Sequence, residues 1–259
     1  MRPFFFGPDR GLFGCYHPAA ADAAPAAAGV VMCNALFGEY VQQHRLYNRL
    51  AERLAGLGVP TLRFDWYGTG DSAGDLDGTD LDRWRADLGA ATTWLRRQAR
   101  RAPVVLVGAR IGATLASAAV GDDADVRGLA LWEPVASGAD YLAELATEHE
   151  KGLGRYLVGT PKEPGRTELL GFTVPDPLLA ELGALRLAAP RGDQATLVVG
   201  GAASVSAARS VLDPAAAPVR YDETTFPPGW LQPEEAIYDV LVPAVAMRAT
   251  ADWIAGLAR

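Results

Sequence analysis

Hydrophobic positions fall into short runs separated by longer stretches with one polar face. Two aromatic-rich runs, 3–6 and 12–16, flank the turn signal Pro8-Asp9-Arg10-Gly11 and predict an antiparallel hairpin. Residues 18–28, dense in Ala and Pro, read as a surface loop. From residue 30 the rhythm changes. Apolar runs at 30–33, 59–64, 103–107 and 126–132 predict buried strands. Between them, 42–57 and 81–100 carry helical periodicity, the first stopping at Gly58, and an Ala-rich helix begins near residue 110. Further strands are predicted at 195–199 and 218–221, with helices at 203–212 and 234–257. Short apolar strands alternating with helices predict βαβ units. The class is therefore α/β, a mostly parallel sheet with helices on both faces.

Residues 137–190 break this rhythm. They are richer in Glu, Gly and Pro, with helical patterns only at 140–151 and 176–187. The segment reads as a cap inserted over the C-terminal edge of the sheet. The core domain is then 1–136 together with 191–259. No internal repeat is visible.

Composition narrows the function classes. The 259 residues are 49% hydrophobic and 21% charged, enough for one large core. A formal net charge of −7 argues against a nucleic-acid partner, which would need clustered Lys and Arg. The one basic cluster, Arg96, Arg97, Arg100 and Arg101, closes a helical pattern, where cations are favoured electrostatically. Two cysteines, Cys15 and Cys33, make no disulfide framework, and a cytoplasmic location is expected. The N-terminal aromatic run is too short for a signal-peptide core, and no stretch reaches the ~18 apolar residues of a membrane helix. No membrane partner is expected, and a homodimer stays open.

The segment Val104-Val105-Leu106-Val107-Gly108-Ala109-Arg110-Ile111-Gly112-Ala113 carries the most chemical information. A buried strand, a glycine, two residues, a second glycine and a small-residue helix resemble the strand-to-helix elbow of α/β hydrolases. There the middle residue is the nucleophile. Here it is Arg110. A guanidinium has five donors, no lone pair for attack, and stays protonated at physiological pH. The position suits holding an anion or carbonyl, or neutralising a buried carboxylate such as Glu133.

In that fold the acid follows the strand after the cap, and the histidine lies before the last helix. Val199-Gly200-Gly201-Ala202-Ala203-Ser204 offers no carboxylate, and Thr224-Thr225-Phe226-Pro227-Pro228-Gly229-Trp230 offers no histidine. The chain's three histidines, His17, His44 and His149, lie elsewhere. The sequence therefore predicts that the Ser-His-Asp mechanism is absent. Further motifs resemble the serine-aminopeptidase-like and exosortase-associated branch of the α/β-hydrolase superfamily. They are Cys33-Asn34 through Gly38-Glu39 with His44-Arg45, Leu62-Arg63-Phe64-Asp65 with Gly68-Thr69-Gly70-Asp71-Ser72, the elbow itself, and Leu131-Trp132-Glu133-Pro134-Val135-Ala136-Ser137-Gly138. The resemblance covers about residues 28–142, some members of the group also carry arginine at the elbow, and it implies an α/β-hydrolase fold.

Strand tips in this fold converge on one pocket beneath the cap. Cys33 and Asn34 end the first parallel strand, Asp65 and Trp66 the second, Arg110 the third and Glu133 the fourth. Arg110, Glu133, Asp65 and Cys33 form the candidate catalytic set. Asn34, Glu39, His44, Trp66, Tyr67, Ile111, Ser137 and His149 are candidate ligand contacts. Each has a structural alternative: Cys33 as a small buried hydrophobe, Asp65 as the fastener of the Gly68–Ser72 turn, Glu133 as the partner of Arg110, and His44 and His149 as surface residues. No metal-ligand spacing appears, and Gly68-Thr69-Gly70 lacks the helix start of a phosphate loop, so no cofactor is expected.

Three functions fit these residues. One is a non-covalent lyase, isomerase or cyclase acting on a small acyl or carboxylate metabolite. In it Arg110 holds the anion while Glu133, Asp65 or Cys33 moves a proton. Another is a catalytically dead pseudo-hydrolase that binds a ligand or partner. The last is a hydrolase with a carboxylate-activated water. An Arg110 facing a cavity beside a free carboxylate favours the first, and an Arg110 consumed by ion pairs favours the second.

Overall fold

Every apolar run that the pattern assigns to a strand pairs into one eight-stranded sheet in a computed structural model of the chain. Residues 1–24, 26–121, 125–153, 164–189, 194–212, 217–224, 226 and 243–258 are described. Strands β1 (Arg2–Phe6) and β2 (Leu12–His17) form the expected hairpin at one edge. Next come β4 (Thr61–Phe64), β3 (Gly29–Cys33), β5 (Val104–Ala109), β6 (Val126–Trp132), β9 (Ala195–Gly200) and β10 (Val219–Glu223). The six from β4 to β10 run parallel, and β2 meets β4 antiparallel.

The central strands read as unbroken hydrophobic runs because both their faces are buried. Alternation with period two divides them between two cores. Val31, Cys33, Leu106 and Leu131 face a core shared with helices α2 (Leu81–Gln98) and α3 (Ile111–Val120). Val30, Met32, Val107 and Trp132 face another, built with helices α1 (Phe37–Gly56) and α7 (Ala244–Leu257). Trp132 Nε1 donates to Thr250 Oγ1 of α7 at 2.8 Å, so the largest of these side chains is also satisfied.

Between β6 and β9 the chain leaves the sheet. Helix α4 (Gly138–Leu153) is followed by a hairpin, β7 (Arg166–Leu169) and β8 (Phe172–Pro175), and by α5 (Asp176–Ala184). Ser137 bridges Arg186, bringing the two ends of this excursion together. A short helix, α6 (Ala202–Arg209), then connects β9 toward β10. Among the described residues no helix is long and apolar enough to cross a membrane.

Boundaries depart from expectation where periodicity gives no signal. Helix α1 starts at Phe37 rather than 42, because Phe37 turns the chain at φ 56° and the first turn carries glycine and Glu39 instead of an apolar stripe. The β7–β8 hairpin was not expected. Its strands are four residues long, and its turn, Leu170-Gly171, takes positive φ at both positions without an Asn-Gly signature. Helix α5 ends at Ala184 rather than 187, as Leu185 turns extended. Of the last expected helix, 234–242 lies outside the described residues.

One buried pair makes stability pH-dependent. Arg63 of β4 donates through Nε to His17 Nε2 of β2 at 3.2 Å, and through Nη2 to Asn48 Oδ1 at 3.1 Å. The imidazole must be neutral to accept, and burial together with Arg63 holds its pKa down at about 4. The unfolded ring takes a proton near 6.5, so the unfolded state binds more protons between these values. This contribution is complete above pH 6.5 and lost as pH falls toward 4, with a full size of about 3 kcal/mol. Between pH 7.5 and 4.5, urea unfolding of wild type should lose about 2 kcal/mol more than His17→Gln, whose amide oxygen can accept without titrating. Equal losses would show that His17 is not held neutral.

Candidate functional site

Strand β5 delivers Arg110 at its C-terminal end, in a backbone conformation (φ 51°, ψ −129°) that non-glycine residues rarely adopt. Arg110 N donates to Trp132 O at 2.9 Å, and its carbonyl accepts from Ala113 N at 3.1 Å, so the elbow is fixed from both sides. The flanking glycines permit close approach. A Cβ on Gly112 would lie 2.4 Å from the Asn34 carbonyl oxygen, and one on Gly108 would lie 2.5 Å from Ala113 Cα.

The Arg110 side chain is 12% exposed and lies between two carboxylates. Nε donates to Glu39 Oε1 at 2.7 Å, and Nη2 donates to Glu144 Oε2 at 2.6 Å. Glu39 stands in the first turn of α1 and is fully buried, whereas Glu144 of α4 is 48% exposed. Tyr141, one helical turn before Glu144, donates its hydroxyl to Glu39 Oε2 at 2.9 Å and lays its ring 5.8 Å from the guanidinium carbon. One cation thus joins the elbow, α1 and the excursion helix.

Burial dominates the charges here. It drives the Glu39 carboxyl up to about 6, against the pull of Arg110 and the Tyr141 hydroxyl. Burial alone would weaken the Arg110 charge, but Glu39 and Glu144 outweigh it and hold the guanidinium protonated beyond its ordinary range. The Tyr141 hydroxyl is raised well above 10 by burial and by Glu39.

Glu133 does not pair with Arg110. Its Oε1 accepts from Gly201 N at 2.5 Å, capping the start of α6, and its backbone N bonds Val199 O at 2.8 Å. Asp65 fastens the turn that follows it: Oδ2 accepts from Asp71 N at 3.0 Å, and Oδ1 accepts from Tyr40 OH at 2.9 Å and Asn34 Nδ2 at 3.0 Å. Burial raises its pKa. Cys33 is fully buried in the core, which raises its thiol, and its carbonyl accepts from Tyr47 OH at 3.1 Å. Trp66, 1% exposed, packs on Phe64 and Trp84 and donates Nε1 to the Asn34 carbonyl at 2.9 Å.

The remaining candidates scatter. Tyr67 lies under the Arg83 guanidinium, 4.0 Å from its centroid. His44 sits on the exposed face of α1 against Tyr40, and its pKa is lowered by partial burial and Arg63. His149 Nδ1 accepts from Leu170 N at 3.1 Å, tying α4 to the β7–β8 turn. Ser137 caps α4, its Oγ accepting from Asp140 N at 3.4 Å, and Ile111 is buried as the first residue of α3. None of the three histidines contacts Arg110. Of the candidates, only Glu39 reaches Arg110 through its side chain.

Tyr141, Glu144 and Gln43 were not anticipated. Gln43 Oε1 accepts from Ala35 N at 2.6 Å, occupying an amide of the β3–α1 loop. In this fold that loop supplies an oxyanion donor. The i, i+3 spacing of Tyr141 and Glu144 puts them on one face of α4, a signal present in the sequence, but nothing local says which neighbour that face meets. Among the described residues, no group of three His, Cys, Asp or Glu could hold a metal ion.

Residues 26–163 match the hydrolase family described as serine aminopeptidase, S33. No curated protein matches the chain in sequence. Solved structures share its architecture. Est1E from Butyrivibrio proteoclasticus, 14% identical, superposes with a TM-score of 0.66 over 99% of each chain. A soluble variant of monoglyceride lipase from Saccharomyces cerevisiae, 12% identical, gives 0.61 over 96% of this chain and 92% of the other. Alpha/beta hydrolase domain-containing protein 10 from mouse, 17% identical, gives 0.58 over 99% and 100%. The chain has the α/β-hydrolase fold.

The buried pair gives a direct test. Arg110→Met removes the cation and leaves the Glu39 carboxyl buried, so the folded pKa of Glu39 rises further above its unfolded value. The folded state then binds more protons, and stability present below about pH 4.5 is lost as pH rises through that folded value. Urea unfolding should show Arg110→Met costing about 3 kcal/mol at pH 8 and clearly less at pH 5. An equal cost at both pH values would contradict the pairing.

Proposed function

The chain belongs to the serine aminopeptidase S33 family, and from that premise we propose a member that forms no acyl-enzyme and holds a small carboxylate- or acyl-bearing ligand at Arg110. The observation that carries this reading is the guanidinium at the elbow, engaged at Nε by buried Glu39 and at Nη2 by Glu144. A nucleophile at that point needs a lone pair and a base beside it, and a protonated guanidinium has neither. An ion-paired Arg110 favours the pseudo-hydrolase reading, in which residues 137–190 act as a cap tied down through Glu144. The Ser-His-Asp relay is absent in this proposal. The segment 224–259 contains no histidine, and His17, His44 and His149 are engaged elsewhere.

A second reading keeps enzymatic activity. Glu39, held near 6 beside a cation and a tyrosine hydroxyl, carries an exchangeable proton close to neutral pH. It would take the proton-transfer role in place of Glu133, Asp65 or Cys33 in a lyase, isomerase or cyclase step on an Arg110-held acyl ligand.

Fluorophosphonate labelling tests the shared premise. Wild type should show no labelled serine. Arg110→Ser, which restores a hydroxyl at the elbow, should also stay unlabelled and inert toward p-nitrophenyl esters, since no imidazole reaches it. Labelling of wild type at any serine would overturn the proposal, and strong activation of Arg110→Ser would reveal a hidden base.

A further inference from the structure

The two carboxylates on Arg110 are not equivalent. Glu39 is fully buried, and its second oxygen is tied by the Tyr141 hydroxyl. Glu144 is half-exposed and meets the guanidinium through a single nitrogen, Nη2. Nη1 makes no hydrogen bond to any described residue. The terminal edge of the guanidinium, two parallel donors matched to a carboxylate, is therefore used at one point only.

Charge limits what else can sit there. Arg110, Glu39 and Glu144 together offer one cation to two carboxylates, so a further anion enters only by replacing one of them. Glu39 cannot leave without exposing a buried charge to a poor environment, whereas Glu144 can swing into water at little cost.

Resting on the reading of Arg110 as a non-covalent ligand holder, we propose that Glu144 is an intramolecular stand-in for the ligand. Small monocarboxylates bind by exchanging Glu144 off Arg110 and forking across Nη1 and Nη2. The exchange frees the α4 tie, so binding and release of residues 137–190 are one event. With Glu144 gone the Arg110–Glu39 pair is near neutral, which suits a monoanion. A phosphate dianion meets the Glu39 carboxylate beside Nε and is disfavoured.

Hexanoate and inorganic phosphate are the probes, titrated into the full chain with binding read by calorimetry and amide NMR shifts. Glu144→Gln and Glu144→Ala should bind hexanoate at least about five-fold tighter than wild type, the gain expected from removing a half-exposed competing ion pair. Neither should bind phosphate measurably. Arg110→Met should lose hexanoate binding. Should it fail to fold, Arg110→Lys keeps the charge without the fork and should lose most of the affinity. Glu144 variants that bind hexanoate no tighter than wild type, or an Arg110 variant that binds it equally well, overturn the proposal. Fluorophosphonate labelling of wild type would instead overturn the non-covalent reading beneath it, so the two failures are distinguishable.

Discussion

A charge taken out of water must be answered inside the fold, and the Glu39–Arg110 pair is where this molecule meets that demand. Glu39 is fully buried and Arg110 nearly so, with 2.7 Å between their bonded atoms. Neither ion is tolerable without the other. The pair also fixes where α1 begins relative to the elbow, and through the Tyr141 hydroxyl it fixes α4 above both. Removing it would leave three elements without their common polar contact.

The hydrolase elbow explains why such a pair can exist at this spot. A strand end, a positive-φ residue and two close-packed glycines push one side chain out at the top of the sheet, whatever that side chain is. With a hydroxyl there, the geometry presents a nucleophile. With a guanidinium, the same geometry presents a cation to whatever carboxylates lie across the strand ends. The backbone machinery of the family is kept, and the chemistry at its focus is changed from attack to ion pairing.

Much of the fold is legible in the residues because its signals are local. Unbroken apolar runs such as Val104-Val105-Leu106-Val107 can only be strands buried on both faces, and the spacing from Gly108 to Gly112 gives the elbow. The partners of Arg110 are a different matter. Glu133, adjacent in the strand order, is a reasonable guess, but its carboxylate is drawn to the Gly201 amide at a helix start. Glu39 and Glu144 lie 71 and 34 residues from Arg110 in the chain, and their approach depends on how α1 and α4 cross the sheet. Side-chain burial reverses other expectations too: Cys33 and Trp66 end strands at the right level yet point into the packed core. Asp65, also at a strand tip, is spent on holding its own turn.

Carbon-detected NMR titration of the Glu39 side-chain carboxyl probes the central pair itself. Burial against Arg110 requires a midpoint near 6, displaced upward from the 4.5 of an ordinary glutamate. A midpoint at or below 4.5 would mean that Glu39 is solvated or more strongly compensated than the structure allows, and the buried ion pair at the elbow would have to be abandoned.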